Sequence, residues 1–276
     1  MTFQKPRRPS FKKSFDRPAK KSVDDYRAEK KAKAAVLDNW IWGEHSVEVC
    51  AETQPENLLE IFIENAAAKH LSKITAKLGG LKVSPVEKLP RFLTEKRTQG
   101  IAAKVKSFPV FHENDFFETE VTPKSQVLIL DRVQDPQNFG AILRSAAALG
   151  ANSIFIGRRE QAPVNGTVAL VSAGNLFKVK IYTATNLSRT CERLQEKGFT
   201  VFALVGGSKD LTQCLAESKA ENVAWVLGAE EDGIQPNLAK TADQKVGIPM
   251  FPGVESLNVS NSAAIALYEA YKHLKS

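Results

Sequence analysis

The sequence has little cysteine and no long apolar run. None of its apolar stretches reaches the roughly 18 residues that cross a membrane, and no secretory signal is visible. Its three cysteines, Cys50, Cys191 and Cys214, are odd in number and far apart, which excludes a disulfide framework and a zinc site built on a CxxC pair. We therefore expect a cytoplasmic protein with no membrane partner and no metal.

Histidine and the phosphate-binding glycine motifs are also scarce. The four histidines are scattered, and none lies between residues 113 and 272, which removes the usual general base from most of the C-terminal half. A GxGxxG motif after a strand and a GxxxxGK[ST] motif are both absent. These absences argue against an ordinary nucleotide-using enzyme of the doubly wound type.

Positive charge is present in excess, but it is concentrated in one segment. Residues 1–35 contain twelve Lys and Arg against four Asp and Glu, a net charge of +8, whereas the whole chain carries +7. Phe3, Phe11 and Phe15 are interleaved with these cations, which suits attraction to a polyphosphate and stacking on its bases. We interpret residues 1–38 as a basic disordered tail. A merely solubilising tail and a transit peptide are the alternatives, and the prolines argue against a transit-peptide helix.

The rest of the chain divides by its pattern into two α/β parts. Residues 39–111 mix short strand-like and helix-like runs and predict a small α/β domain, and the acidic residues 112–124 predict a linker. Residues 125–276 alternate Val-, Ile- and Leu-rich runs with helical segments, one of them between Asn186 as N-cap and Gly198 as stop. Strands that are apolar on both faces predict a parallel sheet covered by helices.

Three segments of the C-terminal part place polar or glycine-rich loops after apolar strands, namely residues 135–151, 226–234 and 249–271. Ligands of open α/β sheets bind at the carboxyl ends of the strands, so three such loops suggest one composite site. Each polar residue also has a purely structural explanation, as a helix cap, a partner of the helix dipole or a surface arginine. The candidate side chains are Asn138, Arg144, Glu230, Ser256 and Asn258.

The same segments carry a family resemblance. In order and spacing they resemble the three motifs of the SpoU (TrmH) branch of the SPOUT RNA methyltransferases: DRVQDPQNFGAILRSAAALGA, VAWVLGAEEDGIQ and VGIPMFPGVESLNVSNSAAIALYEA. The resemblance covers residues 125–275. It extends weakly over residues 39–106, through WGEHSVEV and RTQGIAAKV, to the small substrate-binding domain, akin to a ribosomal protein, of the ribosomal RNA members.

The resemblance implies an α/β fold whose parallel sheet ends in a C-terminal trefoil knot, a rare exception to unknotted chains. It implies an enzyme that transfers a methyl group from S-adenosylmethionine to a ribose 2′-hydroxyl of RNA. It also implies a homodimer formed through the knot, with the arginine reaching a site shared between subunits. The catalytic set would be the five candidate side chains named above. By motif position, the cofactor contacts would come from Val205, Gly206, Gly228, Ile248 and Leu257.

Some positions depart from the family's pattern. Asn261 and Ser262 stand where Val and Ala are more usual, Asn175 replaces a small apolar residue, and Thr98 stands where a His commonly precedes Gln-Gly. None of them is among the five candidates, so we still expect activity, although the departures weaken the assignment of the substrate.

We expect a site built for geometry. Alignment of the reacting groups can contribute roughly 7–11 kcal/mol, more than the roughly 10²–10⁴-fold help of a general base. Because a guanidinium stays protonated, Arg144 is expected to pair the target phosphate and stabilise the forming alkoxide. The proton would pass to water, phosphate or Glu230. Asn138 would hold the ribose or Arg144, and Ser256 and Asn258 would fix their loop.

Three alternatives stay open from the residues. They are a non-catalytic RNA-binding protein that keeps the fold, an ordinary nucleotide-using enzyme, and a transfer RNA substrate in place of ribosomal RNA. Retention of Arg144 and Asn258 argues against the first, and the missing phosphate-loop motifs argue against the second. The separate small domain favours ribosomal RNA over transfer RNA by analogy.

Overall fold

The computed structural model describes residues 39–70, 82–229 and 232–275, and within them the chain forms two β-sheets and eight α-helices. The strands are β1 (Trp40–Trp42), β2 (Leu58–Glu64), β3 (Val83–Val86), β4 (Ile101–Val105), β5 (Val110–His112), β6 (Gln126–Leu130), β7 (Ser153–Gly157), β8 (Lys180–Ala184), β9 (Thr200–Asp210), β10 (Val223–Leu227) and β11 (Gln244–Gly247). The helices are α1 (Glu44–Thr53), α2 (Glu113–Phe117), α3 (Pro136–Leu149), α4 (Gly166–Val171), α5 (Leu187–Glu196), α6 (Leu211–Ser218), α7 (Pro236–Thr241) and α8 (Val259–Lys275). The predicted basic tail, residues 1–38, lies outside the described residues.

The larger sheet confirms the predicted parallel α/β architecture. Its seven strands lie in the order β11-β9-β10-β6-β7-β8-β5, and every neighbouring pair is parallel. The chain runs from β6 outward through β7 to β8, whereas β10 lies on the other side of β6. The carboxyl ends of β6 and β10 therefore meet at a topological switch point, where open sheets of this kind bind their ligands.

Burial on both faces explains why the central strands are apolar throughout. All five residues of β6 are buried. Leu128 and Leu130 belong to the core cluster that contains Leu143 of α3 and Leu267 of α8. Val127 and Ile129 belong to a second cluster on the opposite face, which contains residues of α2, α5 and α7. The sheet is thus covered by helices on both sides, and few polar groups can lie anywhere but at its ends.

Local capping signals set the ends of the helices. Asn186 accepts backbone hydrogen bonds at the start of α5, from the amides of Ser188 and Arg189 at 3.0 and 3.3 Å, as the sequence predicted. Helix α3 begins at Pro136, two residues before the expected start, because the Asp135 carboxylate accepts the Gln137 amide at 3.0 Å.

The smaller sheet has four strands in the order β1-β4-β2-β3, with only the β2–β3 pair parallel. The segment after Pro90 forms a single 3₁₀ turn, Arg91–Leu93. Leu37–Ser276 forms one compact unit, and Ile61 and Val47 from the small part belong to the same core cluster as the centre of the large sheet. The two sheets therefore share a core.

The acidic segment expected as a linker, residues 112–124, begins with ordered structure. Its helix α2 begins with a capping box formed by His112 and Asp115. Phe116 is 9% exposed and meets the rings of Phe155 and Tyr182 at 5.1 and 5.5 Å. The first part of this segment is therefore packed on the large sheet. Among the described residues, no helix has the length and apolar character needed to cross a membrane.

Gly166, at the start of α4, marks the closest approach of the two parts. A Cβ there would overlap the Trp40 carbonyl oxygen and the Trp42 ring. We expect Gly166→Ala to lower the free energy of unfolding by about 1–3 kcal/mol or more, because neither backbone nor a buried ring can move aside easily. Chemical denaturation of the full chain measures this. Gly157→Ala is the matched control, since its Cβ would meet nothing closer than 3.6 Å; equal losses for both variants would contradict the prediction.

Candidate active site

One cavity, of about 170 Å³, lies at the ends of β10 and β11, beside residues 204–206 in the middle of β9. All five residues predicted to contact a cofactor line this cavity, and so does Ser256 from the predicted catalytic set. The second and third predicted loops therefore meet at one place. The five are Val205, Gly206, Gly228, Ile248 and Leu257.

An interruption of the β9–β11 ladder brings the first two of these residues to the cavity. Ala203 pairs with Lys245, but the next residue of β11, Val246, pairs with Lys209. Residues 204–208 therefore bulge out of the ladder, and Val205 and Gly206 lie within that bulge. Irregular strand pairing of this kind is common beside active sites, where it redirects the backbone.

The loop after β10 approaches the cavity through its backbone. Ala229 and Gly233 exchange two backbone hydrogen bonds of 3.0 and 3.1 Å, which fold the loop back on itself. A Cβ on Gly228 would overlap the backbone of Gly233 and Ile234. Only glycine fits at this turn, so the cavity wall here consists of main-chain atoms.

The first and third predicted loops are joined by a side-chain hydrogen bond. The Asn258 amide donates to the Asn138 side-chain oxygen at 2.9 Å, across 120 positions of sequence. The Asn258 oxygen accepts from the Ser260 amide at 2.8 Å and from its hydroxyl at 2.6 Å, so it caps helix α8. Asn138 is only 8% exposed. This pair fixes the start of α3 against the start of α8.

The remaining two candidates stand apart from this arrangement. Arg144 is exposed, does not line the cavity, and makes no hydrogen bond or ion pair with any described residue. Arg144 follows Asn138 by six residues on α3, so the two side chains point about 120° apart around the helix axis, one toward solvent and the other toward the core. Glu230 lies outside the described residues.

A known protein family matches the part of the chain that contains the three predicted loops. The sequence model of the SpoU rRNA Methylase family matches residues 125–268, more than half of the chain. The chain belongs to the SpoU family. Among curated proteins, it is 36% identical over 241 residues to the 23S rRNA (guanosine-2′-O-)-methyltransferase RlmB of Acinetobacter baylyi, covering 84% of this chain and 96% of that protein. It is 34% identical over 242 residues to the RlmB of Vibrio vulnificus, covering 85% and 97%.

Solved SpoU structures share the fold of this family member. The methyltransferase AviRb of Streptomyces viridochromogenes, in complex with AdoMet, superposes with a TM-score of 0.71 at 19% identity, covering 89% of this chain and 98% of AviRb. An rRNA methyltransferase of Sinorhizobium meliloti superposes with a TM-score of 0.71 at 24% identity, covering 92% and 95%. At these identities the likeness establishes the architecture alone.

The lining of the cavity restricts the ligands that this SpoU protein can hold. Glu255 is the only ionisable residue among the described residues that line it, and no Lys, Arg or His is present. A polyphosphate would find no cation there. The walls combine apolar side chains such as Ile248 and Leu257 with glycine backbone, which suits a flat ring that carries hydrogen-bonding groups. A positively charged ligand would find the Glu255 carboxylate and no cation among these described residues. The described residues contain no cluster that could hold a metal ion.

Sequence reasoning missed part of the lining. Ala229, Gly233, Met250 and Glu255 also face the cavity. They lie within the same loops as the predicted residues, so the loop boundaries were the available signal. Ser262, noted above as a departure from the family's pattern, lines the cavity as well.

The Asn138–Asn258 pair can be separated from the helix cap by mutation. We expect Asn258→Ala to lower the free energy of unfolding by about 0.5–2 kcal/mol, because the cap of α8 is lost. Asn258→Asp keeps an acceptor for the Ser260 amide but has no amide donor for Asn138, so it should recover most of that loss. Urea denaturation of both variants measures the difference. An Asp variant as unstable as the Ala variant would show that capping is not the main contribution.

Proposed function

We propose that this protein transfers a methyl group from S-adenosylmethionine to a ribose 2′-hydroxyl of ribosomal RNA, most specifically of a guanosine in 23S rRNA. The observation that carries the proposal is the meeting of all five expected cofactor residues at one cavity, bordered by the loop that Asn258 holds to Asn138. Relatives named 23S rRNA (guanosine-2′-O-)-methyltransferases, aligned over nearly their whole length, support the choice of substrate.

The composition of the cavity fits S-adenosylmethionine. When bound, this cofactor supplies a methyl group that is already activated by the adjacent sulfonium. The apolar walls at Ile248 and Leu257 suit its adenine ring, and the backbone around Gly206 and Gly228 suits the polar edge of that ring. The Glu255 carboxylate suits the cationic part of the molecule.

The reacting groups then need positioning more than acid–base help. Holding the 2′-oxygen in line with the methyl group can contribute roughly 7–11 kcal/mol. Arg144 pairs a phosphate of the target and stabilises the forming alkoxide, since its guanidinium cannot act as a base. Asn138 orients the ribose or Arg144, and Ser256 and Asn258 fix the loop. The proton leaves to water, to phosphate or to Glu230.

The position of Arg144 makes a homodimer part of the proposal. Its side chain is exposed and does not line the cavity of its own chain, and we propose that a second copy brings its arginine to that cavity. Phe251, Val254 and Leu257 are 87%, 51% and 38% exposed beside the cavity, and this apolar surface is available for such a contact. We propose that the dimer forms through this region and that the chain there passes through a trefoil knot.

We also propose a division of labour along the chain. Residues 39–111 form a substrate-binding part akin to a ribosomal protein and, together with the basic tail of residues 1–38, find the RNA. Residues 112–124 connect them to the methyltransferase part, residues 125–276. We propose a cytoplasmic location for this activity, because the bacterial relatives are named for a ribosomal RNA substrate.

Methyl transfer from labelled S-adenosylmethionine into unmodified ribosomal RNA tests the proposed function directly. The expected result is label at a 2′-O-methylguanosine of 23S rRNA, located by primer extension. Label in transfer RNA alone would replace the substrate, and the absence of both transfer and cofactor binding would leave an RNA-binding protein in place of an enzyme.

The same assay tests the role of Arg144. Arg144→Ala should reduce turnover by about 10²–10³-fold, as loss of an oxyanion partner does, with little change in thermal stability because the side chain is exposed. Arg189→Ala is the matched control, an exposed arginine on helix α5 of the opposite sheet face. Normal methylation by Arg144→Ala would remove this residue from the mechanism, and near-normal turnover by Arg144→Lys would remove the need for a guanidinium fork.

Deletion of residues 1–35 tests the tail. These residues carry twelve basic side chains, so their removal should weaken RNA binding and flatten its dependence on salt concentration. Cofactor binding should not change. Filter binding of ribosomal RNA fragments between low and moderate salt measures the slope. Equal slopes with and without the tail would contradict its proposed role.

A further inference from the structure

Asp131 and Arg132 follow β6 directly, at the point where β6 and β10 end side by side. The Asp131 amide donates to the Leu227 carbonyl at 2.8 Å, which continues the ladder between the two strands by one residue. Asp131 is only 3% exposed. A carboxylate so deeply buried needs strong partners, and its partners come from the loop that leaves β10.

Those partners lie on the C-terminal side of the turn, between Asp232 and Gln235. One Asp131 oxygen accepts the Gln235 amide at 2.7 Å, and the other lies 3.4 Å from the Arg132 Nε. The Arg132 guanidinium donates to the Asp232 carboxylate at 3.0 Å and to the Gly233 carbonyl at 3.3 Å. Two adjacent residues therefore hold residues 232–235 at three points, about 100 positions away in sequence.

Arg132 makes these contacts from an unfavourable backbone conformation. Its φ is +58°, a left-handed conformation that side-chain-bearing residues rarely adopt. Such conformations persist where surrounding contacts over-determine them, and they cluster at functional sites. Burial alone would lower the pKa of Arg132, but the carboxylates of Asp131 and Asp232 raise it above its usual value. The guanidinium thus stays charged although only 16% of the side chain is exposed.

The loop held in this way is one wall of the cavity. Gly228, Ala229 and Gly233 line it, and the Gly233 carbonyl that Arg132 contacts also accepts the Ala229 amide that closes the turn. A shift of the Arg132 side chain would therefore change the position of main-chain atoms that face the ligand.

We infer that Asp131 and Arg132 are positioning residues, which set the shape of the cofactor-binding wall formed by Gly228, Ala229 and Gly233 without touching the cofactor. The inference rests on the proposed function, because it assigns S-adenosylmethionine to this cavity. Arg132 acts through its planar fork, which contacts a carboxylate and a carbonyl at once, and a lysine cannot reproduce that geometry.

Calorimetric titration of the full-length protein with S-adenosylmethionine tests the inference. Arg132→Ala is expected to raise the dissociation constant at least tenfold, Arg132→Lys to raise it less, and thermal unfolding to change little for Lys. Arg193→Ala is the matched control. That side chain is 27% exposed, donates to Asn114 at 2.9 Å and stacks on Phe117 on the other side of the sheet. Its removal should leave the dissociation constant unchanged.

A dissociation constant for Arg132→Ala within twofold of wild type would overturn the inference, as would an equal loss of affinity in Arg193→Ala. Asp232→Asn is a second variant of the same contact that should fold normally, because this carboxylate is 73% exposed. It should weaken binding by about threefold alone and add nothing to Arg132→Ala, whereas additive effects would deny the pairing.

Hydrogen exchange of the backbone amides tests the role of Arg132 independently of the proposed ligand. In the protein without cofactor, Arg132→Ala should speed exchange of the Gln235 and Gly233 amides, and Arg193→Ala should not. A wild-type protein that binds no S-adenosylmethionine, yet shows this difference in exchange, would refute the proposed ligand and keep the role of Arg132 in fixing the loop. Unchanged exchange at both amides would refute that role.

Discussion

Burial of the seven-stranded sheet on both faces is the constraint from which the site follows. Because β6 and β10 present apolar side chains to helices on either side, polar chemistry is confined to the ends of the strands. Parallel strands bring all their carboxyl ends to one edge. The loops after β10 and β11 are thereby gathered at one cavity, together with the bulge within β9.

Backbone forms much of that cavity, with apolar side chains and few charged ones. Gly206 in the bulge of residues 204–208 and Gly228 and Gly233 in the turn line it, and glycine presents only main-chain atoms. A wall of this kind recognises the edges of a ring by fixed hydrogen-bonding groups, and it depends on the loops being held in place from outside. The Asn138–Asn258 bond and the contacts of Arg132 hold two of these loops.

Helix α3 carries two residues with different proposed roles on two of its faces. Asn138 faces inward and joins the loop before α8, whereas Arg144 faces solvent. The cofactor wall and the proposed phosphate partner are thus separated within one chain. A second copy that presents its own α3 would bring them together, and this is the physical reason for making the homodimer part of the proposed function.

The sequence by itself determined the parallel sheet and the capped helix after Asn186, and the family resemblance of its motifs supplied five of the residues that line the cavity. Apolar alternation, capping residues and glycine are local signals, and the strand direction then decides which loops meet. Tertiary structure alone decided the register shift between β9 and β11 and the packing of Phe116 where a linker was expected. It also decided the contact of Arg132 with a loop 100 positions away. These depend on contacts between residues far apart in the chain, which leave no periodic pattern in the sequence.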